Sequence, residues 1–115
     1  MAGVLDATVM AMRRQSDTPI EGYVGPCICA GCYEFRGPEL NRLSHQLGPQ
    51  VVSVSHSGTQ ALDLRAALRL ALGRHHIDLD VADAACTACD GERFFSHRAR
   101  TDSSRQAVLA WIDAP

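Results

Sequence analysis

The sequence places its five cysteines in two groups, Cys27-x-Cys29-x2-Cys32 and Cys86-x2-Cys89. Two C-x2-C pairs can enclose one structural zinc ion, because four thiolates complete its tetrahedral coordination. The candidate ligands are Cys29, Cys32, Cys86 and Cys89. Against this interpretation, the interval between Cys32 and Cys86 is much longer than the roughly 15–20 residues that separate the pairs in common zinc modules. The alternative is that small Cys side chains fill a tightly packed backbone site, as buried thiols often do.

A cysteine can also act as a nucleophile, which requires a base and an orienting group. For Cys32 or Cys86 the base would be a histidine. His97 and His45 are the candidates, although sequence alone does not bring either of them to a thiol. His56 lies in a polar turn, where we expect it to be solvated.

The segment Arg93–Arg98 alternates around an aromatic pair, which is typical of an ordinary strand with Phe inside and Arg outside. Glu34 follows Tyr33 in the cysteine-rich loop. Its carboxylate is a candidate buried partner for the guanidinium of Arg98.

Helices and strands alternate along the chain and would position these residues. Apolar residues at helical spacing predict helices over 3–14, 38–47 and 62–73. The strand candidates are 20–24, 51–55, 77–82, 94–95 and 108–112. Alternation followed by further strands favours an α/β (or α+β) fold in which helices flank a mixed β-sheet.

Composition limits the function classes. The chain has 115 residues, which corresponds to one domain, and its 46% hydrophobic content is too high for a disordered protein. The net charge of −2 and the lack of a basic block do not favour nucleic acid as a partner. No apolar run approaches the roughly 18 residues that span a bilayer. Without a signal peptide, we expect reduced thiols and a cytoplasmic location.

Three segments, in order, resemble one known family. Val24–Phe35 resembles its Gly-Pro-x-Ile…Cys-Tyr-Glu-Val loop, and Gly58–Leu64 resembles the Leu-Asp-Leu entry to its next helix. Cys86-Thr87 with Phe94–Arg98 resembles its Cys-Thr…Phe-Ser-Tyr-Arg-Arg segment, and Trp111 stands where the closing strand normally carries Trp. The family is the YfiH or peptidoglycan-editing-factor group, also called the multicopper polyphenol oxidase or laccase domain. The resemblance covers essentially the whole chain.

The resemblance implies a metal-dependent enzyme that acts on purine nucleosides. Family members are described as phosphorylases of adenosine, inosine and methylthioadenosine, as adenosine deaminases and, in older names, as copper polyphenol oxidases. Bacterial members are also assigned a role in editing peptidoglycan precursors. Purine nucleoside and phosphate are then the expected ligands. The candidate pocket residues are Cys32, Tyr33, Glu34, His97 and Arg98.

The departure from the family concerns its metal, which two His and one Cys hold as an N/S donor set suited to zinc or copper. None of these ligands maps onto this chain, and the last of them precedes the family helix that corresponds to 3–14. We therefore expect residues 1–115 to be the C-terminal part of the fold, to bind no metal cofactor alone and to be inactive alone. A short protein that pairs with a separate N-terminal half or self-associates, and a non-catalytic zinc-binding module, remain alternatives.

Overall fold

The computed structural model describes residues 3–81, 84–111 and 113. The helices are α1 Val4–Gln15, α2 Pro38–Leu47, α3 Leu64–Gly73 and α4 His97–Arg100. The strands are β1 Gly22–Tyr23, β2 Val52–Val54, β3 Gln60–Leu62 and β4 Leu79–Asp80. Two 3₁₀ helices span Ala30–Cys32 and Pro49–Val51. Among these described elements, no helix has the length and apolar character needed to cross a membrane.

The hydrophobic core lies between α2, α3, β3 and the 3₁₀ helix before β2. Pro38 begins α2, where its missing N–H removes no helical hydrogen bond. Gly48 ends α2 with a φ of 116°, which side chains disfavour. The buried core residues are Leu40, Leu43, Val51, Leu62 and Ala67. Tyr33 and Phe35 pack against this core, so it supports the cysteine-rich loop from behind.

Strands β2 and β3 form an antiparallel hairpin in which Val52 is opposite Leu62. The turn between them contains Gly58 at a φ of 82°. The loop after the first cysteine group adds to the same sheet, because the Phe35 N–H donates to Gln60 O at 3.1 Å. The hairpin thereby fixes the backbone on either side of Glu34.

Strands β1 and β4 pair in parallel, with Gly22 opposite Leu79. A Cβ on Gly22 would lie 2.9 Å from the Asp78 carbonyl oxygen, so glycine permits this close approach. The chains leaving both strands stay side by side, and the Cys27 N–H donates to Ala85 O at 3.0 Å. Parallel pairing therefore delivers both cysteine groups to one place. With the antiparallel hairpin, it confirms the mixed α/β class.

Helix α1 contacts the segment that directly follows α3. The imidazole Nε2 of His75 lies 2.6 Å from a carboxylate oxygen of Asp6, and Arg13 donates to the His75 carbonyl oxygen. Among the apolar residues of α1, Val9 is buried, whereas Met12 is 47% exposed. The rest of the protein thus covers only part of the apolar surface of α1.

Two strand predictions near the C-terminus are wrong in the described residues. Phe94 and Phe95 precede α4, because Ser96 caps that helix with its Oγ accepting from the Ala99 N–H at 3.3 Å. Residues 108–111 form no strand, and Ile112 lies outside the described residues. Conversely, β3 was not predicted, since three residues are too few to show an alternating pattern.

Candidate metal centre and the adjoining cleft

The structure brings four cysteines together: Cys29, Cys32, Cys86 and Cys89. We call this group the thiol cluster. Its Sγ atoms all lie within 4.8 Å of one another. Cys89 Sγ is 3.5 Å from Cys32 Sγ and 3.9 Å from Cys29 Sγ, and none of the four is in a disulfide. This is the set proposed from the sequence as zinc ligands, and it can hold a metal ion.

The first cysteine group is shaped by the 3₁₀ helix Ala30–Cys32, in which the Cys32 N–H donates to Cys29 O at 3.1 Å. The remaining thiol, Cys27, is held outside the cluster by Arg65 of α3. Arg65 Nε lies 3.4 Å from Cys27 Sγ, and its NH2 donates to Cys27 O at 3.2 Å. Arg65 therefore fixes the backbone that leads into the cluster.

The second cysteine group forms a turn, in which the Asp90 N–H donates to Cys86 O at 3.1 Å. Arg100 of α4 holds this turn from outside. Its guanidinium donates to Ala88 O at 3.0 Å and to Thr87 O at 3.2 Å, the two carbonyls between the cysteines. The sequence did not predict that Arg100 holds this turn, because no local pattern relates a basic residue at a helix end to a partner elsewhere in the chain.

Burial and hydrogen bonding shift the pKa values of Cys86 and Cys32 in opposite directions. Burial raises the pKa of the Cys86 thiol, but hydrogen bonds from the backbone N–H groups of Cys29 and Cys89 outweigh it and lower the pKa to about 6. At Cys32, burial and then hydrogen bonding to the neighbouring thiols raise the pKa. Backbone hydrogen bonds thus favour negative charge on the Cys86 sulfur.

A cleft of about 730 Å³ opens beside the thiol cluster. Cys32 forms part of both, so the two features share a wall. The polar, charged and aromatic side chains that line the cleft come from three separate segments: Glu34, Phe35, Arg36, His56, Ser57 and Arg98. The cleft therefore combines cations, a carboxylate, a hydroxyl and one aromatic ring.

Arg98 joins α4 to the loop that contains Tyr33 and Phe35. Its guanidinium carbon lies 5.2 Å from the Tyr33 ring centroid and 5.9 Å from that of Phe35, within the range of cation–π contacts. The two rings meet edge to face at 5.6 Å. Of the predicted pocket residues, Cys32, Glu34 and Arg98 line the cleft. Tyr33 contacts the guanidinium of Arg98 with its ring.

Glu34 does not use its carboxylate to bind Arg98 as the sequence suggested. Arg98 instead donates to the backbone carbonyl oxygen of Glu34. The exposed Glu34 carboxylate accepts hydrogen bonds from Ser57 and, at 3.4 Å, from Ser55. The hydrogen bond from Ser57, followed by that from Thr59, lowers the pKa of Glu34. The carboxylate is therefore ionised at neutral pH.

The predicted Cys–His pairs do not form within the described residues. His97 begins α4 and is exposed, and His45 lies on the exposed side of α2. Neither of them makes a hydrogen bond to a thiol in the part of the chain that the structure describes. His56 is exposed, as expected, but lines the cleft next to Gly31, where a Cβ would collide with its ring.

Comparison with known proteins decides the family. The family model described as "Multi-copper polyphenol oxidoreductase laccase" matches residues 1–113. This chain belongs to the laccase-domain family. It is 32% identical over 116 residues to a purine nucleoside phosphorylase of Streptomyces coelicolor, covering 98% of this chain. Purine nucleoside phosphorylases of Pseudomonas aeruginosa and mouse are 28% and 32% identical, over 96% and 84% of this chain.

The chain spans about half the length of its bacterial relatives, namely 47% of both the Streptomyces coelicolor and the Pseudomonas aeruginosa protein, and 24% of the mouse protein. No solved structure matches the laccase-domain chain.

The thiol cluster does not fit the metal site that the family resemblance implies. That site needs two His and one Cys, whereas the cluster offers four thiols and no imidazole. A four-sulfur set is chemically different from a mixed nitrogen and sulfur set with an open position. We therefore assign no step of a reaction to a metal at the thiol cluster.

Proposed function

We propose that this chain forms one wall of the substrate cleft in a metal-dependent purine nucleoside phosphorylase. The observation that carries the proposal is the meeting of two family motifs at one cleft. The Cys-Tyr-Glu motif at residues 32–34 and the Phe-Ser-His-Arg motif at residues 95–98 are far apart in sequence, yet Arg98 lies against Tyr33 and binds the Glu34 carbonyl. The names of the related proteins supply the substrate class.

Phosphorolysis makes specific demands on such a cleft. An oxygen of phosphate attacks the anomeric carbon of the ribose, the bond to the purine nitrogen breaks, and the base leaves with its electron pair and takes up a proton. The products are a free purine and a ribose phosphate. The site must therefore hold a phosphate anion beside a flat aromatic base.

The chain offers suitable groups for both. Arg98 and Arg36 provide guanidinium donors, which match phosphate oxygens in pairs. A guanidinium has five N–H donors, and only one hydrogen bond of Arg98 is made within the described residues. The ring of Phe35 offers a surface for a purine, while Ser57 can bind a ribose hydroxyl.

The family metal, zinc or copper, would polarise the phosphate or an attacking water when bound. We place it on the two His and one Cys implied by the resemblance, which no residue of this chain matches. The proposal therefore includes that the chain is inactive alone. A cytoplasmic location is part of the same proposal, because nucleosides and free thiols both occur there.

The test compares this chain alone with an extended protein, in which a segment that carries the two His and one Cys of the family site precedes residue 1. Each protein is incubated with inosine or adenosine, with and without phosphate, and the products are separated by chromatography. We expect phosphate-dependent release of the purine only from the extended protein. Phosphate-dependent turnover by the chain alone would contradict the predicted inactivity.

The same assay separates the other activities attached to the family. Deamination converts adenosine to inosine without phosphate, so it appears in the phosphate-free arm. An extended protein that binds metal but cleaves no purine nucleoside would overturn the phosphorylase proposal. The remaining candidate is a non-catalytic zinc-binding module. The thiol cluster is the observation behind it, and absence of purine nucleoside cleavage by both proteins would favour it.

A further inference from the structure

The thiol cluster has the dimensions of a mononuclear metal site. A zinc–sulfur bond of about 2.3 Å places the sulfurs of a regular tetrahedron about 3.8 Å apart. The distances from Cys89 Sγ to Cys32 Sγ and Cys29 Sγ are 3.5 and 3.9 Å, on either side of that value. All four sulfurs lie within 4.8 Å of one another, which leaves room for one ion.

Two backbone N–H groups of the cluster are directed at one of its sulfur atoms. The N–H groups of Cys29 and Cys89 donate to Cys86 Sγ at 3.2 and 3.4 Å. Such bonds stabilise negative charge on sulfur, as second-layer hydrogen bonds do around metal ligands. Small residues, Ala30-Gly31 and Thr87-Ala88, separate the cysteines of each pair, so both turns can close tightly.

Neither packing nor a disulfide explains this arrangement. Thiols that merely fill a core are normally buried, whereas Cys89 is exposed and the other three are only half-buried. A disulfide requires about 2.05 Å between sulfurs, well below the 3.5 Å of Cys32 and Cys89.

We propose that Cys29, Cys32, Cys86 and Cys89 bind one zinc ion as a closed structural site. Four sulfurs in a tetrahedron are diagnostic of zinc or iron, and copper with nitrogen ligands prefers other geometries. Zinc has no redox chemistry, so it tolerates the exposure of Cys89 to solvent. Cys27 is not a ligand, because Arg65 holds it outside the cluster.

The zinc ion ties together the two segments that form the cleft. Cys32 immediately precedes Tyr33 and Glu34, while the turn at Cys86–Cys89 is held by Arg100 of α4, the helix that also carries Arg98. Each pair of ligands comes from one of these segments, 57 residues apart. The ion thus closes a long loop, which is where a metal crosslink stabilises a fold most.

The test measures zinc on the 115-residue chain purified under reducing conditions and dialysed against metal-free buffer. We expect about one zinc per chain by plasma mass spectrometry. Cys29→Ser, Cys32→Ser, Cys86→Ser and Cys89→Ser should each lose most of it. Cys27→Ser is the matched control, since it changes the same residue type in the same loop and should retain zinc.

A ligand variant that fails to fold would not report on the site by itself, so the unaltered chain is also refolded with cobalt in place of zinc. Tetrahedral cobalt with four thiolates gives a strong sulfur-to-metal charge-transfer band and d–d bands that count the sulfurs. A folded chain without bound zinc, iron in its place, loss of zinc in Cys27→Ser or a cobalt spectrum with fewer thiolates would each overturn the proposal. None of these readouts depends on nucleoside cleavage, so the proposed function can fail while the zinc site stands.

Discussion

Arg98 donates a hydrogen bond to the backbone carbonyl of Glu34, a residue 64 positions earlier in the chain. The contact joins α4 to the loop after the first cysteine group, and it places a guanidinium over the rings of Tyr33 and Phe35. It is the point at which the two family motifs meet.

On the proposed function, replacing Arg98 should weaken phosphate binding in the extended protein. Arg98→Lys keeps the charge but loses paired donation, and a hydrogen bond to a charged group contributes about 1.5–3 kcal/mol, so KM for phosphate should rise about tenfold or more. The measurement is the initial rate of inosine cleavage against phosphate concentration. Arg69→Lys, on an exposed position of α3, is the control. An unchanged KM in Arg98→Lys would remove Arg98 from the phosphate site.

Arg100 should act on metal retention without being a ligand. Arg100→Gln removes the donors to the Thr87 and Ala88 carbonyls, so the second cysteine turn should hold zinc less firmly. Loss of such outer contacts typically costs about 10–100-fold in metal affinity. The rate of zinc transfer to a chromogenic chelator checks this at a temperature where both proteins are folded. Arg105→Gln is the control, because the hydrogen bonds of Arg105 among the described residues go to carbonyls of its own loop. Equal release rates in the two variants would contradict the role of Arg100.

The sequence predicted some elements well because their signals are local. Helix α2 begins at Pro38 and ends at Leu47, directly before Gly48, and Pro and Gly are favoured at those two positions. The strand prediction for Phe94-Phe95 is wrong. Alternating aromatic and basic residues are typical of a strand, but the Ser96 side chain caps the helix α4 that follows directly. Phe95 is 48% exposed whereas Ser96 is buried, so the segment does not place both Phe side chains inside, as the strand interpretation required.

The thiol cluster could be predicted from the sequence only in part. The spacing inside each cysteine pair identified all four candidate ligands. The long interval between the pairs argued against a shared ion. No local sequence pattern in that interval indicates that β1 pairs in parallel with β4. That pairing, continued by the hydrogen bond from Cys27 to Ala85, brings the groups together. The contacts of Arg65 and Arg100 depend on the same non-local arrangement.

The core that supports the cleft should be sensitive at Leu40, whose side chain is fully buried among α2, α3 and β3. Leu40→Ala should lower the free energy of unfolding by about 2–5 kcal/mol, because it leaves a cavity. Urea denaturation followed by circular dichroism measures the change. Leu109→Ala is the control, since Leu109 is 80% exposed. Similar values for the two variants would show that the core is misplaced.

Helix α3 should depend on its cap, because the Asp63 side chain accepts a hydrogen bond from the Ala66 N–H at 2.9 Å. Asp63→Ala should cost about 1 kcal/mol of unfolding free energy. Asn at the same position should restore most of the loss, since its side-chain oxygen can accept the same bond. Thermal unfolding of the three proteins tests this, with the exposed Asp17→Ala as control. Asn failing to rescue would indicate that the charge, not the cap, matters.

The most direct test of the central claim is X-ray absorption spectroscopy at the zinc edge on the purified chain. The claim is that one zinc ion on Cys29, Cys32, Cys86 and Cys89 joins the two segments that form the cleft. The account predicts four sulfur neighbours at about 2.3 Å and no multiple scattering from imidazole. Three sulfurs with one nitrogen, which would bring in a histidine such as the nearby His56, would contradict it.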